Sequence, residues 1–395
     1  VLQTQIPQFE KVTVLKTIKL GRTRTLREIE AALNKIHDNP GRRFIIPAGM
    51  LSARHGAMHD SARLQLIVTL ARQQLQDEYL EFSPRSDEGE LLSNIANSSP
   101  GIAAVRLTKG IRVGDQEFTR REVLQESVER MHDSDAGAYE KVVKGRVVDL
   151  ICVAASKVQY LRPLFSAENV VKKPKEMTNE MHKLIEFVKK QSGHTSVPDS
   201  LVESLGLFCS ELISNTQEHA ISDHLGNDYP AHVEGLMVGW KRLDDAIFAE
   251  DFTGTDDLKR YWEREKSTTE NDKTSLRALH ISFFDSGPGL ASRISGKSLS
   301  DMTFEEERAY LMTCLNRRVS SKPEEAAGVG LPSVLTELRK VGGLIRIRTG
   351  RMSVYNQFEE NDITRDPLEF SDWDRTVFAP VAGAVVTILI PLRSA

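Results

Sequence analysis

The first 135 residues switch repeatedly between two hydrophobic periods, and this alternation restricts the fold more than any other feature. Strand-like runs KVTVLKTIKL (11–20), RRFIIP (42–47) and EYLEFS (78–83) are separated by the helix-period segments TLREIEAALNKIH (25–37) and DSARLQLIVTLARQQLQ (60–76). Strands separated by helical patterns imply an α/β layer with parallel strands. GIAAVRL (101–107) reads as a further strand and TRREVLQESVERMHD (119–133) as a further helix. The polar, basic stretch SAENVVKKPKEMTNE (166–180), which contains Pro174, reads as a linker. Two domains are expected, an N-terminal α/β domain over residues 1–170 and a second over 171–395.

The second half reads helices first and strands later. EMHKLIEFVKKQ (180–191) and DSLVESLGLFCSELISNTQEHAI (199–221) are helical, the latter opening at Pro198 and Asp199. The strand candidates HVEGLMVGWKRL (232–243) and LRALHISFFDSG (276–287) flank a charged, poorly patterned stretch from about 250 to 275. A helix FEEERAYLMTCLNRR (304–318) leads to GVGLPSVLTELRKVGG (328–343), and LIRIRTG (344–350) and GAVVTILIPL (383–392) are strands. This order predicts an α+β sandwich. With 395 residues and 40% hydrophobic content, each domain can bury a core of its own.

Fifty-six acidic residues against 52 basic ones give a net charge of −4, so no overall basic field points to nucleic acid. Cys152, Cys209 and Cys314 are far apart and form no C-x-x-C pair, which indicates neither a disulfide framework nor a zinc site. No apolar run reaches membrane-spanning length, and the opening VLQTQIPQFEK lacks the charged and apolar regions of a signal peptide. A cytoplasmic protein with no membrane partner is the expectation.

Four segments of the second half carry chemistry. In ELISNTQEHA (211–220), helical spacing puts Glu211 and Asn215 on one face with Glu218 or His219 a turn on, an arrangement able to hold a hydrated cation or orient a water, or to serve as a solvated stripe. FFDSGPGL (283–290) ends a strand in Asp285, with Gly287 and Gly289 following. A carboxylate there can accept an amino group of a base while the glycines let backbone approach closely. SSKPEEAAGVGLPSVL (320–335) sets Gly328 and Gly330 directly before a helix, where free N–H groups and the positive dipole end favour phosphate, with Lys322 as a further charge. In GAVVTILIP (383–391), Thr387 is a lone hydroxyl in an apolar strand.

In this order the four segments resemble the GHKL ATPases, the superfamily of gyrase, heat-shock chaperones, histidine kinases and MutL-type repair proteins. ELISNTQEHA is similar to the family's N-box, DSGPG to its D-x-G-x-G box, GVGL to its second glycine box and GAVVTILIP to its last strand, over about residues 176–395. The resemblance implies a two-layer α+β sandwich of the Bergerat type that binds ATP with magnesium. It implies that Asn215 ligates the metal, that Asp285 receives the adenine amino group with support from Thr387, and that Gly287 and Gly289 shape the base pocket. Gly328, Val329, Gly330 and Leu331 would cradle the phosphates, residues 291–327 would form the lid, and Glu211 matches the general base. An ATPase acting as a conformational switch, through self-association or a protein partner, is the leading expectation. A protein kinase of the histidine or anti-sigma serine type and a non-hydrolysing nucleotide sensor stay open beside it. Glu218, where the family's kinases carry a basic residue and its chaperones an Asp, and the long insertion before Asp285 depart from the family pattern and leave the subfamily open.

Two motifs, MHDSARL (58–64) and RMHD (130–133), place His59 and His132 before an acid, as in phosphoacceptor boxes, although His–acid pairs are usually surface or capping residues. GRRFIIPAGMLSARHG (41–56) has the composition of a strand-end loop suited to ligand binding. VKKPK (171–175) reads as a solvated linker.

Overall fold

The computed structural model describes residues 17–393 apart from 53, 74–77, 85–86, 155–162, 167–169, 193–196, 269–272, 317–328 and 363. The first sheet is built from β1 (Ile18–Lys19), β2 (Phe44–Ile46), β3 (Tyr79–Phe82), β4 (Gly110–Val113) and β5 (Gln116–Thr119), adjacent in that order. β1 to β4 run parallel, and β5 folds back antiparallel on β4. Helix α1 (Leu26–His37) joins β1 to β2. Its buried residues Leu26, Ile29, Leu33 and Ile36 recur at helical spacing, and Thr25 with Glu28 closes a capping box at its start. Helix α2 (Ala57–Gln73) joins β2 to β3 and is buried on all sides from Ala57 to Ala71.

Two expectations for this region are corrected. Residues 101–107, read as a strand, belong to helix α3 (Ser99–Leu107). Local start signals outweigh the apolar run: the Ser98 hydroxyl accepts from the Gly101 N–H, and Pro100 sits in the first turn, where a missing N–H has no cost. The helix expected over 119–133 is broken into Arg120–Gln125 and Val128–Asp135, with Ser127 at the break donating to the Ala96 carbonyl at 2.7 Å.

The second sheet contains β6 (Val147–Ala154), β7 (His232–Asp244), β8 (Lys266–Thr268), β9 (Thr274–Asp285), β10 (Leu344–Gly350), β11 (Met352–Gln357), β12 (Ser371–Asp372) and β13 (Val381–Pro391). The order is β12-β11-β10-β13-β9-β7-β6, with β8 on β9, and each pair is antiparallel. Because β6 pairs with β7 along its whole length, this sheet begins well before residue 171, where the sequence boundary was placed. Val147, Val148, Leu150 and Val153 make β6 a doubly buried strand, which a linker-based reading passes over.

Residues on β9 separate the two cores. Leu279, Ile281 and Phe283 pack with helices α4 (Pro174–Ser192) and α5 (Asp199–His219), whereas Leu276, Ala278 and Phe284 pack in the core that also holds α1, α2 and the first sheet. With apolar positions on both faces, β9 is covered on both sides, and α2 is the cover on the second. The charged stretch from 250 to 275 contains a helix, Asp256–Glu265, capped by Thr255 and anchored by Leu258, Tyr261 and Trp262. The result is a mixed α/β protein with two sheets. Among the described residues no helix is long and apolar enough to cross a membrane.

Candidate functional site

Helix α5 forms the spine of the site, and a second helix packed along it sets where its exposed part begins. Three further helices complete the region, α6 (Leu290–Ser295), α7 (Phe304–Asn316) and α8 (Gly330–Val341). α8 packs antiparallel along α5: Ser200 Oγ donates to Glu337 Oε2 at 2.7 Å, and Ser204 and Ser333 share a 2.8 Å hydroxyl pair. At its first turn the Val329 N–H donates to Glu211 Oε1 at 3.1 Å and the Gly330 N–H to Glu211 Oε2 at 3.0 Å. α8 therefore starts beside Glu211 and runs back toward the start of α5, so the last two turns of α5 project beyond it. Asn215, one turn past Glu211 on the same face, is exposed there, as are Glu218 and His219.

At the far end of α5, Ala220 meets the loop after β9. A Cβ on Gly287 would lie 2.6 Å from Ala220 Cβ and 2.8 Å from its Cα, so only glycine permits this approach. The loop is further fixed by the Gly383 N–H, which donates to the Gly287 carbonyl at 2.7 Å, and by the Gly287 N–H, which donates to Asp285 Oδ1 at 2.9 Å. Gly289, at φ +92°, turns the chain into α6. The other Asp285 oxygen, Oδ2, accepts from Arg293 Nη2 at 3.2 Å. Ala220, the C-cap of α5, is nine residue steps beyond Glu211, which at 1.5 Å per residue places the Gly287 loop and the start of α8 about 13 Å apart along one helix. Asn215 lies between them.

Segments read separately in the sequence therefore meet: Glu211 touches Val329 and Gly330, Gly287 touches Ala220 and Asp285, and the start of β13 touches Gly287 through Gly383. Leu331 is half-buried against the α4–α5 core. Lys322 and Gly328 lie outside the described residues, as does the part of the expected lid from 317 to 327. Of the remainder, 291–316 forms α6, a 3-10 turn at Leu299–Asp301 and α7.

Thr387 does not join the site. It pairs in register with Ser282, their buried hydroxyls 2.9 Å apart. Alternation puts both on the α2 face of the sheet, while Asp285 follows Phe283 on the α5 face. The positions of β13 on the α5 face are Val386, Ile388 and Ile390, one residue out of phase with the hydroxyl. Glu211 is also differently placed from a free base. Both its oxygens hold the first amides of α8, so an internal carboxylate occupies the position assigned to phosphate.

Three residues that sequence reading passed over stand in or beside this region. Arg293 neutralises Asp285. Glu234, a lone acid within an apolar strand, faces Asp285 directly across the β7–β9 pairing, is fully buried, and accepts from Gln217 of α5. It stands opposite Cys152 of β6, whose thiol is pushed up by burial and by this carboxylate. Arg72, at the end of α2, reaches the Ser286 carbonyl and lies over the Tyr229 ring at 3.7 Å. Burial lowers its pKa to about 10 against the opposing pull of Tyr229 and Asp285. The signal for Arg72 and Glu234 was a charge inside an apolar run; Arg293 gave none.

Among the described residues no group of three His, Cys, Asp or Glu side chains could hold a metal ion. A divalent cation at Asn215 would need further oxygens from a bound phosphate chain, the usual manner of magnesium. His59 is unsuited to accept a phosphoryl group: it is fully buried, with Nε2 2.9 Å from Asp251 Oδ2 and Nδ1 3.2 Å from the His55 carbonyl. His132 is exposed on the Val128–Asp135 helix. A cavity of about 260 Å³ lies elsewhere, lined by Thr255, Phe304, Met352, Ser353, Val377 and Phe378 among others, and includes none of the sequence-derived site residues. The chain matches no family model, no curated protein and no solved structure.

Proposed function

We propose that the second sheet and helices α4 to α8 form a Bergerat-type nucleotide site of the GHKL kind, binding magnesium-ATP as a conformational switch. One observation carries this reading: α5 links a glycine loop with a strand-end carboxylate to a glycine-initiated helix about 13 Å away, with Asn215 exposed between them. That separation suits a purine at one end and its terminal phosphates at the other. The residues present fit such a ligand. A Cβ on Gly330 would lie 2.7 Å from Glu211 Oε2, so the close backbone approach depends on glycine, and the Asn215 amide offers a neutral oxygen to a hard cation. When bound, magnesium supplies charge neutralisation of the phosphates.

The chain's own part follows from Glu211. Its carboxylate releases the Val329 and Gly330 N–H groups to phosphate oxygens, which the helix dipole also favours. The freed carboxylate then lies beside the phosphate and accepts a proton from an attacking water. Asp285 receives the base amino group after giving up Arg293. Residues 291–316, hinged at Gly289 and Gly296, respond to the exchange at Arg293 and carry the nucleotide state to the surface.

Calorimetry with a non-hydrolysable ATP analogue, beside phosphate release, tests the reading. Asn215→Ala should abolish magnesium-dependent binding, and Glu211→Ala should retain binding while losing turnover. Parent-rate hydrolysis by Glu211→Ala would remove the base assignment. The engagement of Glu211 as a helix cap favours a second reading, a sensor that binds without hydrolysis, for which phosphate release stays at background in the parent protein as well.

A further inference from the structure

One face of α2 carries Gln65, Thr69 and Arg72, spaced four and three residues apart and therefore in line. Each of the three is spent on the backbone of the second sheet. Gln65 Nε2 donates to the Arg348 carbonyl at 3.0 Å, the Ala382 N–H donates to Thr69 Oγ1 at 3.1 Å, and Arg72 grips the turn after β9. The grip is dense. Arg72 Nε and Nη2 donate to the Ser286 carbonyl at 3.2 and 3.1 Å, and Nη2 also donates to Ser286 Oγ at 3.3 Å and to the Ala231 carbonyl at 2.9 Å. Ser286 lies between Asp285 and Gly287, whose own polar groups are tied to each other and to Gly383. The direction in which Asp285 points is set by this turn, and the one charged side chain that holds its carbonyl comes from the N-terminal half, among the described residues.

We infer that Arg72 is a positioning residue for the base end of the site, so that the N-terminal half completes the nucleotide pocket instead of merely packing behind it. The inference rests on the proposed nucleotide reading. It makes the first sheet and α2 a source of control: any movement of α2 along its axis pulls the Ser286 carbonyl and turns Asp285 away from a base. The phosphate end, about 13 Å away along α5, is not touched by Arg72. Loss of Arg72 is thus expected to weaken affinity and to leave turnover at saturation unchanged.

The test compares the parent 395-residue chain, Arg72→Ala and Arg72→Lys, with Glu30→Gln as a control. Glu30 joins the same two halves through Arg348 at 2.9 Å, and among the described residues its carboxylate pairs with Arg346 and Arg348 and not with the Ser286 turn. Dissociation constants for the ATP analogue, kcat at saturation and amide hydrogen exchange over 285–290 without nucleotide are measured on each. Arg72→Ala should weaken binding roughly tenfold, about 1.4 kcal/mol, with kcat kept and exchange over the turn accelerated. Arg72→Lys, which keeps the charge and loses the fork, should fall between, and Glu30→Gln should match the parent in affinity. Unchanged affinity and exchange in the Arg72 variants overturn the inference, as does a parallel loss of affinity and kcat, which would mark a purely structural role. If the parent binds no nucleotide, the functional proposal fails; accelerated exchange in Arg72→Ala would then still report the turn-holding contact by itself.

Discussion

Gly330→Ala makes the sharpest test of the α5–α8 contact, because propensity and packing predict opposite signs. Exchanging glycine for alanine within a helix ordinarily stabilises by up to about 1 kcal/mol. At Gly330 the new Cβ would lie 2.7 Å from Glu211 Oε2, 2.9 Å from Phe208 Cα and 3.0 Å from Glu211 Cδ. Carbon contacts settle near 3.5–4.0 Å, so the overlap is about 0.6 Å or more. The Glu211 side chain can swing aside only by dropping the Val329 and Gly330 amides, and Phe208 Cα, being helix backbone, cannot yield without moving α5. Overpacking of this kind costs about 1–3 kcal/mol, and each charge-assisted hydrogen bond lost adds about 1.5–3, reduced here because Val329 is partly solvated. After the propensity gain, a net destabilisation of about 3 kcal/mol or more is expected. Urea unfolding followed by tryptophan fluorescence would show a lower midpoint. In a Glu211→Ala background the carboxylate overlaps vanish and the Phe208 contact remains, so the two substitutions should couple by about 1 kcal/mol or more. An unchanged or raised midpoint for Gly330→Ala would refute the packing argument.

Thr387→Val should leave nucleotide affinity unaltered and lower stability by about 1 kcal/mol, because it strips the buried Ser282 hydroxyl of its partner on the face away from α5; a calorimetric titration and a urea melt check the two halves of that statement. Asp149→Asn should destabilise by about 3–5 kcal/mol in urea, since this fully buried carboxylate is held by Arg54 at 2.9 Å, by Arg130 and by the Ser99 N–H at 2.9 Å. Burial opposes its ionisation, but Arg130 and Arg54 outweigh it and depress the pKa, so its contribution is complete above the unfolded value near 4 and is lost as pH falls below it. His280 shows a different window. Burial, with help from His59 and Lys241, lowers its pKa to about 3, so the folded protein keeps it neutral while the unfolded chain protonates near 6.5. Stability from this group is fully present above about pH 6.5 and declines toward pH 3. A His280→Gln variant should show a visibly flatter dependence of the urea midpoint between pH 7 and 5.

Some local features of the second half were legible in the sequence. Asp285 and Gly287 were found by a strand running into glycines, and Gly330 by a glycine at a helix start. What failed was phase and partnership. Thr387 was assigned without knowing which residues of β13 face α5, and a slip of one position reverses the face. Glu211 looked like a free base because its partners lie 118 and 119 residues away. β6 was missed since only its pairing with β7 marks it as part of the second sheet. Residues 101–107 show the reverse error, where an apolar run suggested a strand and a serine and proline just ahead of it decided for helix.

The enclosure of α2 bears on how this polypeptide can be handled. Fifteen consecutive residues, Ala57 to Ala71, have no solvent-facing side, and their apolar members belong to the same buried cluster as Ala278 and Phe284. Severing the gene between residues 170 and 171 would strip β7 of its edge neighbour and strand a greasy wall on the shorter product. Both fragments should be recovered as insoluble material when expressed apart, and as soluble material when co-expressed.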